Sequence, residues 1–414
     1  MATVGHVPKC GIPFSDLIIT NYVLVQFLVL TVTVIAGFVC AKTVVDNVRR
    51  RCARLTVLVV GAGPVGLTSA LIAARSGKVG KLILYEERCR HALVNRPNQV
   101  AFDSKRVAFL RRFGVDFDNL EGCWHNGCFF TRVGVYIEYL LSIVEQVGVP
   151  LDIRLDTRFT RDNFKNLDVS AGRLLAIVCD GTNGVAASVL GLNDAFMQHS
   201  CKAYGAVAAI ERTDQQQVPA PEKRVHGLNF DMTAYGMDTV EPDGNEGFHL
   251  KIFGSPRTRY MTLCIPKCDT KLVKALRVIL DRSMMRNIFQ TCFNTYKSSE
   301  ESNISDSFAL KYMKFSPRLF EIKLSQREET VAYYEDFDMF VLAEGDSARS
   351  YNFHTGMDVN VGLKGLETLQ QFINMAAWCE SEHAILETLL FKANHSEQVC
   401  KEFLRSGLRD YLFS

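Results

Sequence analysis

Residues 57–66 of this 414-residue chain read VLVVGAGPVG, and no other stretch restricts its fold as tightly. An apolar, β-branched run (Val57, Leu58, Val59, Val60) stops at Gly61-Ala62-Gly63-Pro64-Val65-Gly66, and the helix-like segment LTSALIAARSG follows at once. Strand, glycine turn and helix in this order are what dinucleotide binding demands. Gly61 permits the tight turn, Gly63 lets the backbone approach a pyrophosphate, and Gly66 lets the helix pack against the strand. The helix N-terminus then presents its N–H groups to the phosphates. A second apolar run, LILY (82–85), ends at Glu86, 25 residues after Gly61. There a carboxylate is placed to accept hydrogen bonds from the adenosine ribose.

Composition sets the outer bounds. Apolar residues make up 48% and charged residues 22%, a globular balance, and the length suits two or three domains. A net charge of +2, without a basic stripe interleaved with aromatics, gives no reason to invoke nucleic acid. The thirteen cysteines are odd in number and scattered, with no CxxC. Cys264 and Cys268 come closest to a metal spacing but lack a second pair, so reduced thiols and no metal are expected.

Residues 17–41 hold no charge over 25 positions. At 1.5 Å per residue that run spans the ~30 Å hydrocarbon core of a bilayer. A cleavable signal peptide is the rival reading, and Val39-Cys40-Ala41 resembles a cleavage site. Signal h-regions, however, run about 7–15 residues behind a basic flank. Here the N-terminal flank offers only Lys9 and His6, while Lys42, Arg49, Arg50, Arg51 and Arg54 follow the run. A single-pass anchor with the bulk of the chain facing the cytosol is therefore expected.

Four further segments bear on the nucleotide site. The stretch 96–115 begins at Arg96 and turns helical, with Val100, Val107, Leu110 and Phe113 as apolar positions. Residues 136–147 form an amphipathic helix and 151–155 a strand. An apolar strand, Leu174 to Val178, ends at Cys179-Asp180-Gly181. Far downstream a strand from Met339 to Leu342 ends at Gly345-Asp346, a loop passes Thr355-Gly356, and a helix begins near Asn360. Asp346 is placed to hold a ribityl or ribose hydroxyl. Gly356, Val359 and Asn360 sit where a helix N-terminus could aim N–H groups at a ring carbonyl.

Over about 55–375 this order resembles the class A flavin-dependent monooxygenases: aromatic-ring hydroxylases, kynurenine monooxygenases and the MICAL monooxygenase domains. The family's GxGxxG matches Gly61, Gly63 and Gly66 with Glu86 as the ribose acid, and its DG motif matches Asp180-Gly181. Its GD motif matches Gly345, Asp346, Ala348, Gly356, Asn360 and Gly362, and Arg96-Pro97-Asn98-Gln99-Val100 resembles the segment where an arginine approaches the flavin. Four departures bear on turnover and redox poise. Arg349 stands for a histidine, Asn352-Phe353 for a proline, Asp358 for a glycine and Ala187 for an arginine.

The resemblance implies an α/β fold: a Rossmann-type FAD-binding domain with an inserted β-sheet substrate domain, preceded by one transmembrane helix. The expected parts are an anchor and basic flank (1–54), the FAD-binding domain (55–200 and 335–380), the sheet insert (201–334) and a C-terminal helical tail (381–414). The implied cofactor-binding residues are Gly61, Ala62, Gly63, Pro64, Val65, Gly66, Glu86, Arg96, Gln99, Asp180, Gly345, Asp346, Gly356, Val359 and Asn360. The implied activity is monooxygenation of an organic substrate through a flavin C4a-hydroperoxide, with NADPH or NADH as transient electron donor. A flavin oxidase or dehydrogenase of the same fold, or a flavin-binding scaffold without turnover, fits the same motifs. In the insert, His249, Arg257, Arg259 and Tyr260 are candidate pocket groups, and 214–223, 241–247 and 298–307 read as surface or linker.

Overall fold

The computed structural model describes residues 14–51, 55–167, 172–228, 230, 247–278 and 282–413. The positions of Lys9, His6, Arg54 and most of the 241–247 loop lie outside these residues. The chain divides into two units, Met1–Cys52 and Ala53–Ser414.

In the first unit one helix runs from Phe14 to Arg51. Its Val25–Val44 segment has a mean hydropathy of 2.1 and buries none of its residues, so it is long and apolar enough to cross a membrane. Its hydroxyls are internally satisfied. Thr31, Thr33 and Thr43 each donate to the carbonyl four residues back, at 2.7–2.8 Å, which removes their polarity from the helix surface.

The second unit is mixed α/β. Its central strand, Leu55–Val60, is buried along its whole length. Leu55, Val57 and Val59 pack into one apolar cluster with the helices Pro64–Arg75, Val133–Gln146 and Leu369–Trp378, while Leu58 and Val60 pack into another on the opposite face. A strand buried on both faces needs no polar alternation, which is why this run is uniformly apolar. The sheet order is Val331–Tyr334, Met339–Ala343, Arg173–Val178, Leu55–Val60, Val79–Tyr85, Leu151–Arg154. All neighbours are parallel except the first pair.

A second sheet is antiparallel and seven-stranded, built around the long strand Phe196–Glu211. It takes Thr258–Pro266, Phe248–Gly254 and Lys223–Leu228 on one side and Phe320–Arg327 and Arg349–Tyr351 on the other; Met313–Phe315 also pairs with the long strand. Three helices, Lys271–Arg277, Arg282–Tyr296 and Asp306–Tyr312, belong to its apolar cluster through residues such as Leu276, Phe289 and Ala309.

Two expectations are corrected here. The stretch after Arg96 is first a strand, Gln99–Phe102, antiparallel to Cys128–Arg132. The helix waits until Ser104–Arg112. Pro97 disfavours helix just before it, and Asp103 caps the helix by accepting from the Arg106 N–H at 2.7 Å. Val100 is thus a strand residue, while Val107, Leu110 and Phe113 are buried along the helix and its end. The 298–307 segment is not a linker. Glu301 is 4% exposed and lies between Arg212 and Arg259, and the Ile304 backbone bonds in both directions to Asn294.

Candidate functional site

Four strand ends of the parallel sheet meet at one place. Gly61 N–H donates to Tyr85 O (2.8 Å), Cys179 N–H to Val60 O (2.7 Å) and Glu344 N–H to Val178 O (2.9 Å). The glycine turn, Glu86, Asp180-Gly181 and Gly345-Asp346 are thereby brought from four distant parts of the sequence to one cavity of about 500 Å³.

The glycines there have distinct reasons. Gly61 has φ +103°, and a Cβ would sit 2.4 Å from Cys179 O. A Cβ on Gly66 would meet Gly61 O at 1.8 Å, so that helix can approach the turn only with glycine. At Gly63 a Cβ would meet nothing within 4 Å, because it points into the open cavity. Space is held at Gly63, as a pyrophosphate approach requires.

Glu86 is buried, and its carboxylate accepts from the Ala62 N–H (2.7 Å) and the Arg88 N–H (3.0 Å). It therefore braces the glycine turn as well as lining the cavity. Asp180 accepts from the Ala186 N–H (2.9 Å) and from the Ser347 hydroxyl (3.0 Å), while Gly181 N–H donates to Ser347 Oγ (3.0 Å). Ser347 thus ties the Asp180-Gly181 and Gly345-Asp346 motifs together, a role that sequence reasoning missed; its hydroxyl directly after Gly345-Asp346 was the available signal. Burial raises the Asp180 carboxyl above its ordinary range.

A second cavity of about 660 Å³ adjoins the first, and Pro64, Arg96, Asp346, Asp358 and Val359 line both. Desolvation, reinforced by the charge of Asp358, pushes the Asp346 carboxyl up to about 6. Arg96 is half-buried, and desolvation lowers its pKa; among the described residues nothing hydrogen-bonds or ion-pairs its guanidinium. Such a cation, already stripped of part of its water, is suited to an anionic or strongly polar ligand atom. His354 Nδ1 lies 3.5 Å from Asp358 Oδ2, and the Asp358 carboxylate also accepts from the Thr355 N–H (3.2 Å) and hydroxyl (3.4 Å). The floor of this cavity carries Phe253 stacked on Tyr260, 5.5 Å apart, with the Tyr260 hydroxyl 3.5 Å from Asn98 Oδ1.

Of the fifteen expected cofactor residues, twelve line one or both cavities, while Ala62, Gly66 and Asn360 stand behind the wall. Asn360 is buried and donates to Ala101 O (2.9 Å), holding the strand Gln99–Phe102 against the helix Asp358–Gly365. The side chain of Gln99 is likewise committed. It bonds both N–H and C=O of Ala220, at 3.0 and 2.8 Å, and so anchors the 214–223 loop. Of the four pocket candidates in the insert only Tyr260 lines the cavity. Arg259 is consumed by Glu301, and His249 faces His226.

Arg349 does not face the cavities. It is wholly buried, 3.7 Å from Glu344 and 2.5 Å from the Ser396 hydroxyl of the C-terminal helix Glu382–Phe413. Lys392 of the same helix lies 2.5 Å from Glu344 and donates to Gly365 O at 2.7 Å. Phe353 is also buried away from the site, against Phe320.

No family model matches the chain, and no curated protein does. Among solved structures it is similar to the peptidyl tryptophan dihydroxylase QhpG, essential for tryptophylquinone cofactor biogenesis. That match has a TM-score of 0.50 at 14% identity, over 87% of this chain and 75% of that one. It is also similar to the tetracycline destructase Tet(51), with a TM-score of 0.45 at 12% identity over 86% and 90%. A third is the Diels-Alderase PyrE3 of pyrroindomycin biosynthesis, with a TM-score of 0.44 at 13% identity over 84% and 71%. At these identities the likeness to QhpG shows a shared fold.

Proposed function

We propose that this protein is an FAD-dependent oxidoreductase, a monooxygenase that takes electrons from NADPH or NADH. One observation carries the reading: a phosphate-type cavity and an aromatic-floored cavity adjoin, sharing Arg96, Asp346 and Asp358 in their linings. A dinucleotide with a reactive ring at one end has that shape. The residues fit the group, since Gly63 leaves open space at the glycine turn and Asp346 lines both cavities.

Bound there, the flavin supplies hydride acceptance and oxygen activation. The chain's own residues do the rest. The helix N-terminus behind Gly63 would face a bound pyrophosphate, and Glu86, which keeps that turn in shape, would accept from the ribose. The Asp346 carboxylate would accept from a ribityl hydroxyl, and Arg96, lining the same cavities, would offer its N–H fork. Phe253 and Tyr260 exclude water and present an aromatic face to an organic substrate. The fold shared with a dihydroxylase supports oxygen insertion over the oxidase and scaffold alternatives.

The Val25–Val44 helix supports a membrane anchor, and the arginines at 49–51 support a cytosolic catalytic unit. The test is the visible spectrum of the full chain purified in detergent. We expect bound FAD that NADPH bleaches anaerobically, and its loss in Gly63→Val. A folded Gly63→Val protein with full flavin occupancy overturns the cofactor assignment.

A further inference from the structure

Charge is spread unevenly over the seven-stranded sheet and its helices. Residues 267–278 and 311–323 together hold eight Lys and Arg against two acids, a net +6 in a chain whose total is +2. Of the two acids, Glu321 is spent on Lys267 and Lys323. Among the described residues no ion pair engages Lys271, Lys274, Arg277, Lys311, Lys314 or Arg318, and all six are exposed. The two stretches are joined. The Leu319 N–H donates to Leu276 O at 2.8 Å, which sets the backbone of Arg318 beside that of Arg277. Arg277 and Lys267 lie over the same Tyr204 ring, at 4.6 and 5.7 Å. Along the helix Lys271–Arg277, Val273 and Leu276 are buried, while Lys271, Lys274 and Arg277, spaced three apart, face out.

Apolar side chains stand among these cations. Val278, directly after Arg277, is 56% exposed, and Leu310 and Tyr312, on either side of Lys311, are 65% and 45% exposed. Exposed apolar groups beside unpaired cations match the two layers of an anionic bilayer surface, its negative headgroups and the acyl boundary beneath them. A nucleic acid would use the cations and leave Val278 and Leu310 idle, since bases stack on aromatic rings and arginine rather than on aliphatic side chains.

We propose that this face, carried by the helix Lys271–Arg277 and residues 310–318, docks on an anionic bilayer surface, so that the second unit is held at the membrane by its own side chains as well as by the chain's anchor. This rests on the membrane-anchor reading above and is independent of the FAD reading. Lys314 also lines the second cavity, so the docked face takes in that cavity's rim.

The experiment places the full chain in nanodiscs of phosphatidylcholine alone or with one third phosphatidylserine. A brief pulse of the membrane-impermeant sulfo-N-hydroxysuccinimide acetate acylates the lysines, and mass spectrometry reads the rate at each. Lys105 and Lys401, exposed and outside the patch, serve as references. A nanodisc presents both leaflets, so the result does not depend on the orientation of the anchor. Near an anionic leaflet each unpaired cation adds about fivefold to surface affinity, so Lys271, Lys274, Lys311 and Lys314 should react at least about tenfold more slowly in the anionic discs. The difference should vanish in 1 M salt, where charges are screened beyond about 3 Å. Lys271→Glu combined with Lys274→Glu, with far-UV circular dichroism unchanged, should speed acylation of Lys311 and Lys314 in the anionic discs. Equal rates in the two discs, or slowing shared equally by Lys105 and Lys401, overturns the inference and leaves the anchor reading standing. Slowing by polyuridylate in phosphatidylcholine discs, with none by anionic lipid, overturns it in favour of nucleic acid. A chain that enters neither disc overturns the anchor reading and this inference together.

Discussion

Glu344→Gln should destabilise this protein far more than Lys392→Met, although each breaks the same 2.5 Å ion pair. The cluster beneath Gly345-Asp346 contains one anion and two cations: Glu344, Arg349 and Lys392, with side chains at most 1% exposed. Removing Lys392 leaves Glu344 and Arg349 as a neutral pair at 3.7 Å, and methionine fills most of the volume. The loss is then the three hydrogen bonds to Glu344, Gly365 O and, at 3.4 Å, Thr368 Oγ1, about 2–3 kcal/mol after repacking. Removing the charge of Glu344 instead strands two buried cations, and an uncompensated buried charge costs about 3–5 kcal/mol even singly. Unfolding entropy near 2.1 cal/mol/K per residue, over about 360 residues, converts each kcal/mol into about 1.3 °C. Lys392→Met should therefore melt about 3–4 °C lower and Glu344→Gln, with both cations stranded, at least about 8 °C lower, measured by differential scanning fluorimetry in detergent. If Glu344→Gln melts at or above Lys392→Met, the charges are not buried together and the account of the cluster fails.

Three further outcomes follow. Gly61→Ala must adopt φ +103° with a Cβ 2.4 Å from a carbonyl oxygen, so it should lose FAD and melt lower, the strain alone costing about 1–3 kcal/mol; full flavin content in that variant refutes it. Asp346 holds its proton more tightly folded, near 6, than unfolded, near ~3.9, so flavin-free stability should fall as pH rises from 4 to 6 and then level off. Flavin-free Asp346→Asn should accordingly match the parent in urea titrations at pH 4 and exceed it at pH 7.5, and the opposite order counts against the raised carboxyl. Asn303-Ile304-Ser305 and Asn394-His395-Ser396 are glycosylation sequons with exposed asparagines; the proposed cytosolic orientation expects no mobility shift on endoglycosidase treatment of protein from eukaryotic cells, and a shift reverses it.

What the sequence disclosed depended on how local the determining physics was. The strand at 55–60 was legible because burial on both faces demands an unbroken apolar run, and the turn because glycine is forced at 61 and 66. The strand at 99–102 was hidden in a helix-like pattern. At four residues it is too short to establish a period, and its partner, 128–132, lies thirty residues away. Glu301 was read as solvated because SSEES looks like a linker, yet its partners Arg212 and Arg259 lie 89 and 42 residues away. Ion pairs over such separations leave no mark on local composition. The same holds for Lys392 and Ser396, which complete a site begun by Glu344 and Arg349.

The departures from the flavin-monooxygenase pattern separate by the direction in which each side chain points. Arg349 replaces a histidine, but its guanidinium turns inward to Glu344 and Ser396, so it bears on how the C-terminal helix docks rather than on any ligand. Gly365 makes room for it: a Cβ there would lie 2.2 Å from the Glu344 carboxylate and 2.7 Å from Arg349. Phe353 packs under Gly205 and Phe320. Asn352 lines the second cavity, yet its amide is spent on Glu321 O and the Lys323 N–H, which leaves it little to offer a ligand. Asp358 alone of these residues brings a new charge to the lining of both cavities, where its carboxylate meets His354 at 3.5 Å. Of the departures placed here, then, only the carboxylate at 358 alters the charge that lines both cavities.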